Sequence, residues 1–217
     1  MAVAPADVTA DVTAAASLPV QPQPRPFSVD EFEAMGRAGI FGRNERVELI
    51  EGRIVAMNPI GTKHLWTVSE LLRFFVPLTD VRVTSQSPLH LHDQGEPEPD
   101  VLVLRSTTPR TRKPTPADAL LVIEVADSTL VYDRETKGPL YAGAGVPEYW
   151  LVDLNGERIQ VYTEPSPIGY RATRLYLRGE SLSPAFAPDL TVSVDDVLGP
   201  PAAPEAATPD TAAPDTD

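Results

Sequence analysis

Hydrophobic and polar residues alternate along several short segments, a pattern that predicts β-strands. Residues 46–50 and 53–57 alternate on either side of Glu51-Gly52, which is typical of a hairpin whose turn glycine takes a positive φ angle. Asn155-Gly156 separates two further alternating segments and predicts a second hairpin with a two-residue turn. The chain is therefore expected to contain at least two antiparallel strand pairs.

Other segments predict strands that are buried on both faces or continue the sheet. Residues 100–104 and 119–125 are nearly continuous apolar runs with the length of buried strands. Residues 81–91 predict a further strand or two, and residues 170–177 predict another. These strands supply enough segments for one central sheet.

Three segments have helical patterns. Ser28 is followed three residues later by Glu31, a capping box that predicts a short amphipathic helix. Between 62 and 78, apolar residues recur at spacings of three and four, which predicts a helix packed on a sheet. A second long helix is expected from 133 to about 144. The apolar stripe of the helix at 62–78 consists of Leu65, Val68, Leu71, Leu72, Phe75 and Val76.

Helices before, between and after antiparallel hairpins predict an α+β fold. We expect an α/β sandwich with a mixed central β-sheet flanked by helices, rather than a doubly wound parallel sheet. The folded domain is placed at 26–198. Residues 1–25 and 199–217 are rich in Ala, Pro and Thr, and we expect them to be disordered tails because they cannot bury enough apolar surface to offset ordering.

Composition excludes some chemistry and weighs against other chemistry. The chain has no cysteine, which excludes disulfides and thiolate zinc sites. The net charge of -13 argues against tight binding of nucleic acid by charge alone, although a contact bridged by a metal ion is compatible with it. No segment has the pattern of a signal peptide or a membrane span, so a soluble, cytoplasmic protein is expected.

Two acids in the apolar runs form the strongest candidate site. If the strands at 100–104 and 119–125 pair antiparallel around the middle of their connection, Asp100 falls opposite Glu124. Directly opposed residues have Cβ atoms about 4.5–5.5 Å apart, close enough for both carboxylates to hold one hard cation. Glu124 interrupts a run that is otherwise buried, and a buried acid needs a partner.

These acids belong to an ordered set of motifs along the chain. The motifs are Glu48-Leu-Ile-Glu-Gly, Pro-Asp100, Ile-Glu124-Val-Ala-Asp-Ser-Thr, Asp133-Arg-Glu-Thr-Lys137 and Gly145-Val-Pro-Glu-Tyr-Trp-Leu-Val-Asp153. Together they resemble the PD-(D/E)XK nuclease superfamily, more narrowly its Uma-type branch of bacterial restriction-endonuclease-like domains, and the resemblance extends from about residue 27 to residue 162. It implies a restriction-endonuclease-like core in which Asp100 and Glu124 bind Mg²⁺ or Mn²⁺ and a water attacks a DNA phosphodiester.

The chain departs from the superfamily pattern at one position. Ala126 stands where the superfamily places its catalytic lysine, two residues after Glu124. The resemblance implies that Lys137, on the following helix, takes this role, and a flexible four-carbon stem makes the change of position feasible. Glu48 matches an acidic position near the first strand and is implied as an extra metal or water ligand.

Several of these residues also have ordinary structural explanations. Asp133 and Lys137 could form a solvated ion pair at i and i+4, worth about 0.3–0.5 kcal/mol. Glu48 could be an exposed strand residue, and His64 could be a surface residue near a helix end rather than a contact to phosphate. The alternative to a nuclease is a non-catalytic interaction module that retains the nuclease fold.

Other polar and aromatic residues are assigned no role in catalysis. His90 and His92 share a predicted strand face but lack an evident third ligand, so a zinc site is not expected. Tyr149 and Trp150 are expected in the core. A homodimer is compatible with double-strand cleavage, which needs two sites related by a dyad. A solvated loop at the strand ends away from Asp100 and Glu124 is expected to carry Arg105, Arg110, Arg112 and Lys113.

Overall fold

A computed structural model describes residues 24–201 of the 217-residue chain. The predicted tails at 1–25 and 199–217 therefore lie almost entirely outside the described residues. Within 24–201, the strands are β1 (Val47–Ile50), β2 (Arg53–Ala56), β3 (Val81–Thr84), β4 (Val101–Arg105), β5 (Ala119–Ala126), β6 (Glu148–Asp153), β7 (Arg158–Ser166), β8 (Gly169–Leu177), β9 (Ser181–Leu182) and β10 (Val192–Ser193).

Helical segments lie before, between and after these strands. None of those between residues 24 and 201 is long and apolar enough to cross a membrane. The segments are α1 (Val29–Arg37), α2 (Thr62–Phe75), α3 (Leu130–Tyr132), a π-helical turn (Asp133–Lys137), α4 (Gly138–Gly143) and α5 (Val194–Leu198).

The central sheet of the described region has the strand order β3-β4-β5-β6-β7-β8. Its strands pair antiparallel except for β5 and β6, which are parallel. Helices α2 and α5 pack on the face formed by residues such as Val101, Ile123 and Trp150, while α4 packs on the opposite face with Tyr149. The expected α+β fold with a mixed, helix-flanked sheet is confirmed, as is the burial of Tyr149 and Trp150.

The pairing of β4 with β5 confirms the predicted register. Val101 pairs with Ile123, which places Asp100 opposite Glu124 at the next position along the two strands. Because side chains alternate across a strand, both acids lie on the face covered by α4. The register slips at Val103/Leu104, on the side of the pair away from the acids, so the slip does not affect them.

One predicted hairpin turn is correct and the other is wrong. Glu51 and Gly52 both have positive φ angles, as a two-residue hairpin turn requires. Asp153, however, pairs with Arg158, so the loop around Asn155-Gly156 has four residues, and its positive φ lies at Glu157. The Asp153 carboxylate determines this loop, because it accepts hydrogen bonds from Gly156 N at 2.7 Å and Arg158 Nε at 2.8 Å.

Two helix predictions need correction. Helix α2 ends at Phe75, and Leu65 and Val76 are 55% and 63% exposed rather than packed on the sheet. The segment at 81–91 contains one strand, β3, which agrees with the expected strand or two. The long helix expected at 133–144 is interrupted at its start by the π-helical turn. The capping box of α1 is present as predicted.

The connection between β4 and β5 is held by ion pairs rather than being simply solvated. Arg112 donates to Asp118 at 2.6 Å and Thr115 caps the same carboxylate, while Lys113 bonds Glu33 and Glu96. The hydrogen bond from Arg112 holds the pKa of Asp118 well below its usual range.

The hydrogen bonds to the Asp118 carboxylate should stabilise the fold. We expect Asp118→Asn to lower the free energy of unfolding by about 1–3 kcal/mol at pH 7. A carboxyl whose pKa is depressed by folding contributes stability above its unfolded pKa of about 3.9 and loses that contribution as pH falls further. The difference from wild type, measured by urea unfolding, should therefore shrink below about pH 4. A difference independent of pH would contradict the role of the ionised carboxylate.

Candidate active site

A cavity of about 320 Å³ opens where β4 begins and β5 ends. Strands β1 and β2 and the loop that follows them supply one wall, the first turn of α2 supplies another, and α3 with the π-helical turn supplies a third. The predicted site residues Glu48, Asp100, Glu124 and Lys137 all line this cavity. The fold therefore brings together every residue that the sequence assigned to the site.

Asp100 and Glu124 are tied to each other through the backbone. Asp100 Oδ2 accepts a hydrogen bond from Val125 N at 2.8 Å, and Glu124 Oε2 accepts one from Asp100 N at 3.4 Å. Both side chains are buried. The strand register thus fixes the two carboxylates beside each other.

Lys137 lies between two of the buried acids. Its Nζ donates to Glu124 Oε1 at 3.1 Å and contacts Glu48 Oε2 at 3.0 Å. Burial acts to lower the pKa of Lys137, but the attraction of Glu124 and Glu48 outweighs it and raises the pKa. Lys137 is therefore a buried ammonium rather than the solvated helix-surface residue of the ordinary explanation, and Glu48 is buried rather than exposed.

Two of the acids that line the cavity, Glu124 and Asp133, have raised pKa values. Burial raises the pKa of Glu124 well above its ordinary value, and Lys137 opposes this while Asp100 adds to it. Burial also raises the pKa of Asp133 to about 6, again against the effect of Lys137. Asp133 Oδ2 accepts a hydrogen bond from Thr129 at 2.5 Å. The site therefore concentrates negative charge that is only partly compensated by one lysine.

The π-helical turn and two tyrosines position this cluster. Tyr141 donates to Glu124 Oε1 at 2.7 Å, and Tyr149 donates to the backbone oxygen of Asp133 at 3.1 Å. Gly138 N reaches the same Asp133 oxygen and closes the wide turn. π-Helical turns occur frequently at functional sites. Tyr141 was not predicted as a site residue, although its spacing of four residues from Lys137 was an available signal.

Two further side chains line the cavity: Tyr132, which was not predicted there, and His64, which the sequence left open between a surface position and a phosphate contact. His64 Nε2 lies 3.0 Å from Asp100 Oδ2, and His64 Nδ1 is buried with no hydrogen-bond partner among residues 24–201. The hydroxyl of Tyr132 is also buried and has no partner within the same described range, and burial together with nearby Glu48 raises its pKa to about 12. The predicted position of His64 near a helix start was correct, but the sequence did not show that this helix end points at Asp100.

The residues left out of the catalytic set lie elsewhere. His90 is near Glu96, and His92 contacts Glu51. In the described part of the chain, no group of three His, Asp or Glu side chains is arranged to hold a metal ion as it stands. Within the cavity, the Lys137 ammonium contacts both Glu48 and Glu124.

Comparisons with known proteins agree with this architecture. The chain is 21% identical to a protein of known crystal structure from Anabaena variabilis, titled a "putative nuclease belonging to DUF820", with a TM-score of 0.63 over 80% of this chain and 98% of that one. At this identity the likeness shows a shared fold. A comparison with curated proteins gave no match. Residues 29–196 match the family model Uma2, described as "Putative restriction endonuclease". Because this match spans well over half of the sequence, the chain belongs to the Uma2 family.

Proposed function

We propose that this protein is a nuclease that hydrolyses DNA phosphodiester bonds with the help of Mg²⁺ or Mn²⁺. One observation carries the proposal: Asp100, Glu124 and Lys137 meet in a single buried cavity. Membership of the Uma2 family supports nuclease activity in general. The finer statements, that DNA is the substrate and that a divalent metal is required, rest on the chemistry of this cavity.

The donor set of the cavity suits a hard divalent cation. Asp100 and Glu124 present carboxylate oxygens from adjoining strand positions, and such oxygens are the ligands that Mg²⁺ and Mn²⁺ prefer. Burial raises the pKa of Glu124 and the neighbouring charge of Asp100 adds to this effect, so a cation between the two carboxylates would relieve the cost of keeping Glu124 ionised. Asp100 and Glu124 would hold the metal, with Glu48 as an additional acid. When bound, the metal would supply an acidified water and positive charge beside the scissile phosphate.

The other side chains would orient these groups and the substrate. Lys137 is positively charged, and its ammonium group would lie near a non-bridging oxygen of the bound phosphate. Positive charge placed there in advance stabilises the transition state. Tyr141 holds Glu124 in place through its hydroxyl, and His64 holds Asp100. Asp133, held by Thr129, adds a second acid near Lys137.

The proposal predicts that cleavage depends on added metal. We expect the wild-type protein to cleave labelled single-stranded and supercoiled DNA in millimolar Mg²⁺ or Mn²⁺ and to stop when EDTA is added. Asp100→Asn should be inactive under the same conditions. Asp118→Asn is the matched control, because it neutralises a buried acid outside the cavity, and it should retain activity below its unfolding temperature. Cleavage that persists in EDTA, or in Asp100→Asn, would contradict the proposal.

The interaction module that retains the nuclease fold is the second candidate. It is favoured by the observation that Lys137 already pairs with both Glu48 and Glu124, together with the acidic net charge of the chain. Such a protein should bind its partner equally well after Asp100→Ala. Metal-dependent turnover that is lost in the same variant would exclude it. The homodimer and the cytoplasmic location expected from the sequence remain predictions.

A further inference from the structure

The groups assigned to the reaction lie below the protein surface. Glu48 and Glu124 are each 3% exposed, Lys137 is 5% exposed and Asp100 is 7% exposed. Access to them is through the cavity, whose volume of about 320 Å³ is at the lower end of the range of small-molecule sites. A phosphate must therefore descend into the cavity before it reaches the two carboxylates.

The cavity has an apolar side as well as an acidic one. Strand β2 and the loop after it line the cavity with Val55, Ala56, Met57, Pro59 and Ile60, and Ile60 is 42% exposed. Tyr132 lines the same cavity, and its buried hydroxyl has no hydrogen-bond partner in the described part of the chain. An apolar wall and an aromatic ring are the groups that hold an unstacked base, while the carboxylate end suits the adjoining phosphate.

We propose that the cavity receives one unpaired nucleotide, so that the substrate is single-stranded or locally unpaired DNA rather than an intact duplex. This inference rests on the proposed nuclease function and names its substrate class. The base lies against Ile60 and Tyr132, and the phosphate on its sugar lies beside Asp100 and Glu124. The hydroxyl of Tyr132, which bonds no other group between residues 24 and 201, is available as a hydrogen-bond donor to this nucleotide.

The depth of the site favours an unpaired strand. In a duplex, each phosphate is held on the outside of a stiff, wide rod, and an enzyme that needs a buried contact must first pull the nucleotide out of the stack at a cost. A single strand can bend one nucleotide into the cavity without that cost. The burial of all four reacting side chains therefore discriminates against duplex DNA.

The negative charge of the protein also favours a single strand over a duplex. Glu48, Asp100, Glu124, Asp127 and Asp133 line the cavity, and the whole chain has a net charge of -13. A duplex carries one negative charge per about 1.7 Å of its axis, a higher density than that of one strand. An acidic protein therefore repels a duplex more strongly than a single strand. Contacts to a base then supply a larger part of the binding free energy.

The substrate preference can be measured with one oligonucleotide in three forms. It is presented to the wild-type protein in Mg²⁺ or Mn²⁺ as a single strand, as a perfect duplex, and as a duplex with a central bubble of mismatches. We expect the single strand and the bubble to be cleaved at least about tenfold faster than the duplex, with cuts inside the bubble. Equal or faster cleavage of the perfect duplex would overturn the inference.

Binding without turnover separates this inference from the nuclease proposal. Fluorescence anisotropy in Ca²⁺ gives the affinity of the wild-type protein for each of the three forms. Tighter binding of the single strand, without cleavage of any form in Mg²⁺ or Mn²⁺, would support the assignment of the cavity to an unpaired nucleotide and would refute the proposed nuclease activity. Equal affinity for single strand and duplex, or none for either, would refute the cavity assignment.

Variants of the cavity wall test the assigned contacts. Tyr132→Leu and Ile60→Ser should each raise KM for the single strand by about tenfold, with kcat and the unfolding transition nearly unchanged. Tyr132→Phe retains the ring and should separate the contribution of the hydroxyl. Leu65→Ser is the control, since Leu65 is an exposed apolar residue of α2 outside the cavity, and it should behave as wild type. Unchanged KM in both wall variants would overturn the assignment.

Discussion

Glu124→Gln should reduce DNA cleavage by about 10³-fold while leaving the protein folded. Glutamine has the same shape and can still accept from Tyr141 and Lys137, but it removes the negative charge that would hold a divalent cation. The loss corresponds to several kcal/mol of charge stabilisation in the transition state, since each factor of ten is about 1.4 kcal/mol. Single-turnover rates in saturating Mg²⁺ or Mn²⁺ measure the effect.

The stability of Glu124→Gln must be measured as a control, because loss of cleavage is informative only if the variant is folded. Burial raises the pKa of Glu124, which means that the folded protein stabilises its neutral form relative to the charged form. Lys137 also keeps its ion pair with Glu48 in this variant, so no buried charge is left without a partner. A neutral side chain at this position should therefore be tolerated, and the thermal unfolding of Glu124→Gln should stay within a few degrees of wild type. Cleavage at wild-type rate by a folded variant would contradict the assignment of Glu124.

Lys137→Met should lower the free energy of unfolding by about 3–5 kcal/mol at pH 7, because removing one member of a buried ion pair leaves the other charge uncompensated. Lys137 contacts Glu48 and Glu124 at 3.0 and 3.1 Å, and Asp133 lies in the same cavity. Methionine keeps most of the apolar stem and removes the charge. Urea unfolding followed by circular dichroism measures the difference.

The pH dependence of this loss follows from the acids that Lys137 compensates. Lys137 lowers the pKa of Glu124 and of Asp133, so its removal should raise both further above their unfolded values. Acids whose pKa is raised by folding stabilise the fold when protonated, and the variant should regain stability as pH falls from 7 to about 5. Arg37→Met is the matched control, because it removes an exposed i,i+4 ion pair with Glu33 and should cost at most about 0.5 kcal/mol. Equal stability of Lys137→Met and wild type at pH 7 would contradict the account.

The register of the two central acids could be predicted from the sequence because it depends on local chain geometry. The lengths of β4, β5 and their connection fix which residues are opposite, and the interruption of an apolar run marks Glu124. The β1–β2 hairpin was predictable for a similar reason, since Glu51-Gly52 has the residues that its turn requires.

The contacts that bring Lys137 and the π-helical turn over the two central acids could not be predicted, because they are tertiary contacts between segments distant in sequence. Alternation places Glu48 on one face of β1 but does not show that Lys137 contacts that face. Five residues are too few to distinguish a π-helical turn from an α-helical one by periodicity, and the turn is held partly by Tyr149 from a distant strand. At Asn155-Gly156, the side chain of Asp153 determined the loop against the usual turn preference.

Isothermal titration of Mn²⁺ shows whether Asp100 and Glu124 form a divalent-metal site. Wild type, Glu124→Gln and the control Asp118→Asn are titrated under identical conditions at neutral pH. We expect saturable binding at millimolar or lower Mn²⁺ in wild type and in Asp118→Asn, and its loss in Glu124→Gln. Wild-type protein that binds no Mn²⁺, or Glu124→Gln that binds it equally well, would contradict the assignment of the two acids as metal ligands.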